Sequence, residues 1–199
     1  MNKNPEVIFG VDEVGRGPLA GPVVVCALIA PASYETLIFE KGIKDSKKIK
    51  FQKREAIYEI LKKDPKVKWG IGRVSEKVID KINILQATKL AMVRAVKSLE
   101  KKIGHKADQL LIDGNFAIPI TRPQQSIIKG DEKISLIALA SIVAKVHRDR
   151  LMDNYHKQYP QYGFNQHKGY GTKLHLEAIQ KNGFCKIHRK TFKVFKLKN

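Results

Sequence analysis

A chain of 199 residues, 43% of them hydrophobic, is long enough to bury a core of its own and too apolar for a disordered segment. It carries 38 Lys and Arg against 19 Asp and Glu, a formal charge of +19 spread along the chain. That exceeds what solubility needs and implies a polyanionic partner, nucleic acid before any other. No stretch approaches the roughly 18 consecutive apolar residues of a membrane helix. The first residues hold no signal-peptide core, so the default address is the cytoplasm. Two cysteines, Cys26 in an apolar run and Cys185 near the C-terminus, make no disulfide framework.

In chain order, residues 7–11 (Val-Ile-Phe-Gly-Val) predict a short strand leading into a Gly/Pro-rich turn at 15–22. Residues 23–30, apolar throughout and closed by Pro22 and Pro31, predict a central buried strand. Ile57, Ile60 and Leu61 give residues 51–63 helical spacing, which stops at Asp64-Pro65. Residues 67–74 alternate charged and apolar side chains as a third strand. A long amphipathic helix follows at 84–103, with Leu85, Thr88, Met92, Ala95, Val96 and Leu99 as its stripe and Gly104 as its end. Residues 109–112 predict a strand ending at Asp113-Gly114, and 126–128 offer another. A helix over 133–156 buries the small residues Ala138, Ser141 and Ala144, which let it lie close against a sheet. The last helix, 172–181, takes Thr172 as its N-cap and has Gly183 beyond its end. Strands first, then strands alternating with helices, predict an α/β fold, a mixed sheet covered by helices.

In a chain this basic, four acids stand apart. Asp12 and Glu13 end the first strand, Asp113 ends Leu-Leu-Ile, and Asp131 follows Ile-Ile-Lys-Gly and opens a helix. Carboxylates at strand ends project from the rim of a sheet, where open α/β folds build their sites. Gathered together they repel, and a hard divalent cation such as Mg²⁺ or Mn²⁺ relieves that repulsion. Two such ions roughly 4 Å apart can orient a water and stabilise the leaving oxygen in phosphodiester cleavage. Each acid has a plainer reading. Asp131 alone is equally a helix N-cap, and Asp113-Gly114 alone is a common turn pair. Asp12-Glu13 is harder to dismiss, because adjacent charges ending a buried strand are costly. Taken jointly, a metal site is a better account than three coincidences.

Gly15-Arg16-Gly17 with Gly21 superficially imitates a dinucleotide-binding loop. Pro18 and Pro22 interrupt it, and a strand follows in place of a helix, so that reading fails. Glycines beside acids instead allow a nucleic-acid strand close to backbone N–H groups, with Arg16 adding charge. An ordinary tight hairpin is the alternative.

The run Val11-Asp12-Glu13-Val14-Gly15-Arg16-Gly17-Pro18-Leu19-Ala20-Gly21-Pro22-Val23 resembles the opening signature of the ribonuclease HII family. Asp45-Ser46-Lys47-Lys48, Asn83-Ile84-Leu85-Gln86-Ala87, Ile112-Asp113-Gly114 and Gly130-Asp131 match in the family's order. So do the segments at 140–146, Arg148-Asp149, Tyr159-Pro160, the segment at 167–172 and His188-Arg189. The resemblance spans nearly the whole chain, and the joint pattern is very specific.

It implies a ribonuclease H-like fold, a mixed five-stranded sheet with flanking helices, as a single catalytic domain over 1–199 whose helical C-terminal segment, about 150–199, binds substrate. It implies an endonuclease that cuts the RNA strand of RNA–DNA hybrids, and the 5′ side of ribonucleotides embedded in duplex DNA. Two Mg²⁺ or Mn²⁺ ions would serve it, leaving 3′-hydroxyl and 5′-phosphate ends. The family's four carboxylates map onto Asp12, Glu13, Asp113 and Asp131. Its turn that senses the ribose 2′-hydroxyl maps onto Gly15, Arg16 and Gly17. The tyrosine that packs on the junction sugar maps onto Tyr170, and Lys47, Lys145, His167 and Lys168 are expected phosphate contacts. Type III relatives carry a Gly-Thr-Gly-like turn and an extra N-terminal domain; Arg16 and the short N-terminus argue against that class. One departure is Thr191-Phe192-Lys193-Val194, where the family usually reads Ser-Phe and then a proline two residues on.

Three rivals stand beside this reading. A ribosomal-type nucleic-acid-binding protein explains +19 without needing four acids at strand ends. A resolvase or transposase core on the same fold predicts cleavage of all-DNA substrates. A zinc site from His167, His175, Cys185 and His188 matches no standard spacing, and scattered surface and phosphate-facing histidines account better for them. Nothing in the sequence asks for more than a monomer.

Overall fold

In the computed structural model, residues 6–35 and 49–193 are described. The strands are β1 (Ile8–Val14), β2 (Val23–Ile29), β3 (Lys68–Val74), β4 (Gln109–Asp113) and β5 (Gln124–Ile127). They form one mixed sheet in the order β3-β2-β1-β4-β5. β1 and β3 run antiparallel to β2, while β4 is parallel to β1 and β5 to β4. Helices among the described residues include α1 (Phe51–Lys63), α2 (Glu76–Ile103), α3 (Gly130–Lys133), α4 (Ser135–Gln158), α5 (Phe164–His167) and α6 (Lys173–Asn182), with a short 3-10 turn at Pro160–Tyr162.

Side chains alternate across the strands, so each face of the sheet owns a core. Phe9, Val11, Val23, Val25 and Ala27 pack under α2 with Met92, Val96 and Leu99. Val14, Val24, Cys26 and Leu28 pack on the other face with α1 and α4. The helices rest almost directly on the strands. A Cβ on Gly72 would stand 1.9 Å from the Ala91 carbonyl oxygen of α2, and one on Gly10 2.4 Å from the Leu136 carbonyl carbon of α4. Ala138, Ser141 and Ala144 are buried in that interface, as their size predicts.

The helix at 51–63 and the strands follow the sequence closely. The differences have local causes. The helix expected from 84 begins at Glu76, and the expected start marks an interruption. Asn83 takes φ 63° and ψ 168°, and its Oδ1 accepts from Gln86 N at 3.1 Å, capping the second piece. Leu85, on the expected apolar stripe, is exposed, as is Ile60 of α1. The helix expected from 133 is two helices, because Ile134 between α3 and α4 is extended. Thr172 caps α6 as expected, its hydroxyl accepting from His175 N at 3.4 Å, and Gly183 ends it. A third cluster, Ala20, Met152, Tyr162, Phe164 and Ile187, fastens the C-terminal segment to the turn after β1. No helix of the described residues is long and apolar enough to cross a membrane.

Candidate active site

β1 and β4 are parallel neighbours with Val11 opposite Ile112, so the next residues, Asp12 and Asp113, meet at one edge of the sheet. One carboxylate oxygen each from Asp12, Glu13 and Asp113 lies within 4.8 Å of the others. Asp12 is fully buried, and its Oδ1 accepts from Glu13 N. Gly130 N donates to Asp113 Oδ1 at 2.7 Å and so docks α3 against β4. Asp131, buried in the first turn of α3, shares with Asp113, Asn115, Lys129 and Glu132 a cavity of about 360 Å³. It does not act as an N-cap, since Lys129 holds that position, and it falls outside the 4.8 Å group.

Carboxylates at that spacing repel by roughly 3–4 kcal/mol per pair at an effective dielectric of 20. A donor set made only of carboxylate oxygens fits a hard divalent cation such as Mg²⁺ or Mn²⁺, not a zinc site of nitrogen and sulfur. Cys26 pairs with Asp12 across the β1–β2 ladder. Burial, then the Asp12 carboxylate, pushes its thiol well up, so it stays neutral beside the acids.

The Gly15-Arg16-Gly17 turn leaves β1 directly after the acids. Arg16 Nη1 stands 3.6 Å from Glu13 Oε1, and its guanidinium lies 5.8 Å from the Phe116 ring centroid. Gly15 has φ +94°, and a Cβ there would stand 2.2 Å from Arg148 Nε, so both conformation and space call for glycine. Tyr170 is 42% exposed and flanks the turn, its Cε1 3.8 Å from where a Gly17 Cβ would lie.

The model of the family "Ribonuclease HII" matches residues 9–195. The chain belongs to the ribonuclease HII family. The ribonuclease HII of Syntrophus aciditrophicus is 52% identical over 188 residues, covering 94% of this chain and 84% of that one. Among solved structures, the ribonuclease H2 of Pyrococcus horikoshii superposes with a TM-score of 0.73 at 26% identity, over 94% of each chain. Bst-RNase HIII, in its complex with Mn²⁺, shares the fold at a TM-score of 0.68 and 19% identity, over 92% of this chain and 64% of that one. The fold is therefore ribonuclease H-like, and the chain is a metal-dependent ribonuclease H hydrolase.

Within this ribonuclease HII framework the expected phosphate contacts fare differently from the acids. Lys47 lies outside the described residues. Lys145 Nζ is 2.7 Å from Asp149 Oδ1, and Arg54 stands 3.8 Å from the other oxygen. Burial lowers the Lys145 ammonium, against the pull of Asp149. Lys168 Nζ pairs with Asp153. His167 is turned inward, with Nε2 2.7 Å from Tyr162 O and Nδ1 accepting from Gly169 N at 3.2 Å. His167 and Lys168 thus hold the loop that carries Tyr170, while Lys145 pairs within its own helix, α4. His167, His175, Cys185 and His188, expected as scattered surface and phosphate-facing groups, instead gather. His167 and His175 stack at 4.4 Å, His175 Nε2 meets His188 Nε2 at 3.1 Å, and Cys185 Sγ meets His188 Nδ1 at 3.1 Å.

Two functional supports escaped the residue-by-residue reading. Arg148 and Arg189 are almost fully buried and donate to backbone carbonyls around the turn. Among 38 basic residues a buried arginine has no signature of its own; only the family motifs Arg148-Asp149 and His188-Arg189 marked the positions.

Proposed function

We propose that this chain hydrolyses the RNA strand of RNA–DNA hybrids and cuts on the 5′ side of single ribonucleotides embedded in duplex DNA, leaving a 3′-hydroxyl and a 5′-phosphate. The observation that carries the reading is the convergence of Asp12, Glu13 and Asp113 at the sheet edge from which the Gly15-Arg16-Gly17 turn departs. Those three carboxylates would hold Mg²⁺ or Mn²⁺, with Asp131, across the adjoining cavity, as a fourth ligand. Two divalent ions held there supply an activated water and charge for the leaving oxygen.

The chain's own contribution is placement. Backbone N–H groups of the turn meet the ribose 2′-hydroxyl, the group that separates RNA from DNA. Arg16, beside Glu13, neutralises a substrate phosphate, and the exposed Tyr170 ring packs on the sugar at the RNA-to-DNA junction. Lys145, His167 and Lys168 act one step back, holding the surfaces that meet the strand. On this reading 1–199 is one catalytic domain, and the segment from about 150 onward is its substrate-binding part.

Calorimetric titration with Mn²⁺, together with hybrid cleavage, tests the metal assignment. Wild type should bind and cut, while Asp12→Asn and Asp113→Asn should lose both. Full metal affinity in both variants would sink it.

A further inference from the structure

We infer that Arg189 is the positioning residue for the ribose-reading turn. It aims the backbone donors of Gly15-Arg16-Gly17 at the substrate without touching the substrate itself. The inference rests on the reading above and deepens it.

Arg189 is 1% exposed, and its guanidinium is occupied by backbone carbonyls of the turn. Nη2 donates to Gly15 O at 2.6 Å and to Gly21 O at 2.7 Å, Nη1 to Arg16 O at 2.8 Å, and Nε to Gly21 O at 2.9 Å. In a trans peptide unit the carbonyl of one residue and the N–H of the next point to opposite sides. Drawing the Gly15 and Arg16 carbonyls onto one guanidinium therefore turns the Arg16 and Gly17 N–H groups together to the opposite side. Two adjacent N–H groups facing one way make a receptor for an oxygen. Tyr170 borders the turn at Gly17, so that receptor opens beside the exposed ring.

The rest of the scaffold locks the same geometry. Arg189 N donates to Leu19 O and Gly21 N to Ile187 O, both at 2.8 Å, so the segment around Arg189 is stitched to the far side of the turn. Arg148 joins the turn to the Tyr170 loop, donating to Ala20 O at 3.1 Å and to Lys168 O at 2.9 Å. Packing alone does not explain these arginines, since burying a cation is costly and an apolar side chain of similar size fills space at less cost. A planar fork that grips two carbonyls is what arginine offers and lysine does not.

The test uses the full chain and Arg189→Lys, which keeps the charge and loses the fork. The substrates are a DNA duplex with one embedded ribonucleotide and the same duplex in all-DNA form. Wild type should cut the first, and failure there would refute the proposed function itself, separately from this inference. Arg189→Lys should lose about 10²-fold in kcat on the ribonucleotide duplex, the effect of a displacement on the order of 1 Å. Its Kd for the all-DNA duplex should stay within about twofold, because phosphate charge dominates that binding. An unchanged kcat, or an all-DNA affinity that falls in parallel with kcat, overturns the inference.

If Arg189→Lys lacks a cooperative thermal transition, the wild-type amides of Arg16 and Gly17 decide the matter by NMR. They should shift with the ribonucleotide duplex and not with the all-DNA duplex. Equal shifts with both, or with neither, would overturn the inference equally.

Discussion

Beneath Tyr170, His175 and His188 share one hydrogen bond, and their partners fix where the protons sit. His175 Nδ1 lies 2.9 Å from Tyr170 O, which can only accept, so that nitrogen carries a proton and Nε2 is left to accept. His188 Nε2, 3.1 Å away, must therefore donate, and its Nδ1 accepts from Cys185 N at 2.9 Å. A further proton on His175 would meet the His188 Nε2–H, and one on His188 would meet the Cys185 N–H. Burial foremost brings both rings down from 6.5 to about 4.

The folded values lie below the unfolded one, so on acidification the unfolded chain binds protons first. Stability is complete above pH 6.5 and is lost as the pH falls toward 4. Between pH 7 and 5 each ring accounts for about 2 kcal/mol, at roughly 1.4 kcal/mol per tenfold change in proton binding. Urea unfolding followed by Trp69, the single tryptophan, measures this at the two pH values. His175→Asn keeps a donor toward Tyr170 O and removes one titrating ring. It should be less stable than wild type at pH 7, and the gap should narrow by about 2 kcal/mol at pH 5. A gap that is the same at both values would refute the proton assignment.

Other consequences follow from single contacts. Gly72→Ala drives a Cβ to 1.9 Å from the Ala91 carbonyl oxygen, and the resulting strain of about 1–3 kcal/mol should lower Tm by roughly 3–10 °C in a scanning calorimeter. Asp149→Asn removes the negative charge that faces Lys145 and Arg54, so urea midpoints should report a loss of about 3–5 kcal/mol, much of it recovered in the Lys145→Met double variant. Asp113→Asn should lower kcat on a hybrid by about 10²-fold or more. In chelator the same change should leave Tm equal or higher, because it relieves carboxylate repulsion.

The acids were legible because charge at the end of an apolar strand is conspicuous, and the register of β1 on β4 then brings Asp12 and Asp113 together. Whether Asp131 caps a helix depends on which side of the helix start it occupies, which pattern alone left open; Lys129 holds the cap position. Strand and helix ends followed proline, glycine and Thr172, whose effects are local. The piece of α2 before Asn83 was missed because the apolar stripe takes hold only at Leu85, past the non-helical Asn83. Leu85 and Ile60 show the converse, apolar residues on helices whose buried faces are narrower than the pattern. Arg148, Arg189 and the histidine chain were illegible as supports, because burial of a polar residue is decided by partners up to 174 positions away. Asp45-Ser46-Lys47-Lys48, a motif of the resemblance, lies outside the described residues.

Cleavage of a DNA duplex carrying one embedded ribonucleotide, in Mg²⁺ or Mn²⁺ and in chelator, beside an all-DNA control, tests the central claim most directly. The account predicts a single cut on the 5′ side of the ribonucleotide, abolished by chelator and absent from the control. Binding without cutting in either metal, or cutting of the all-DNA duplex, would contradict it.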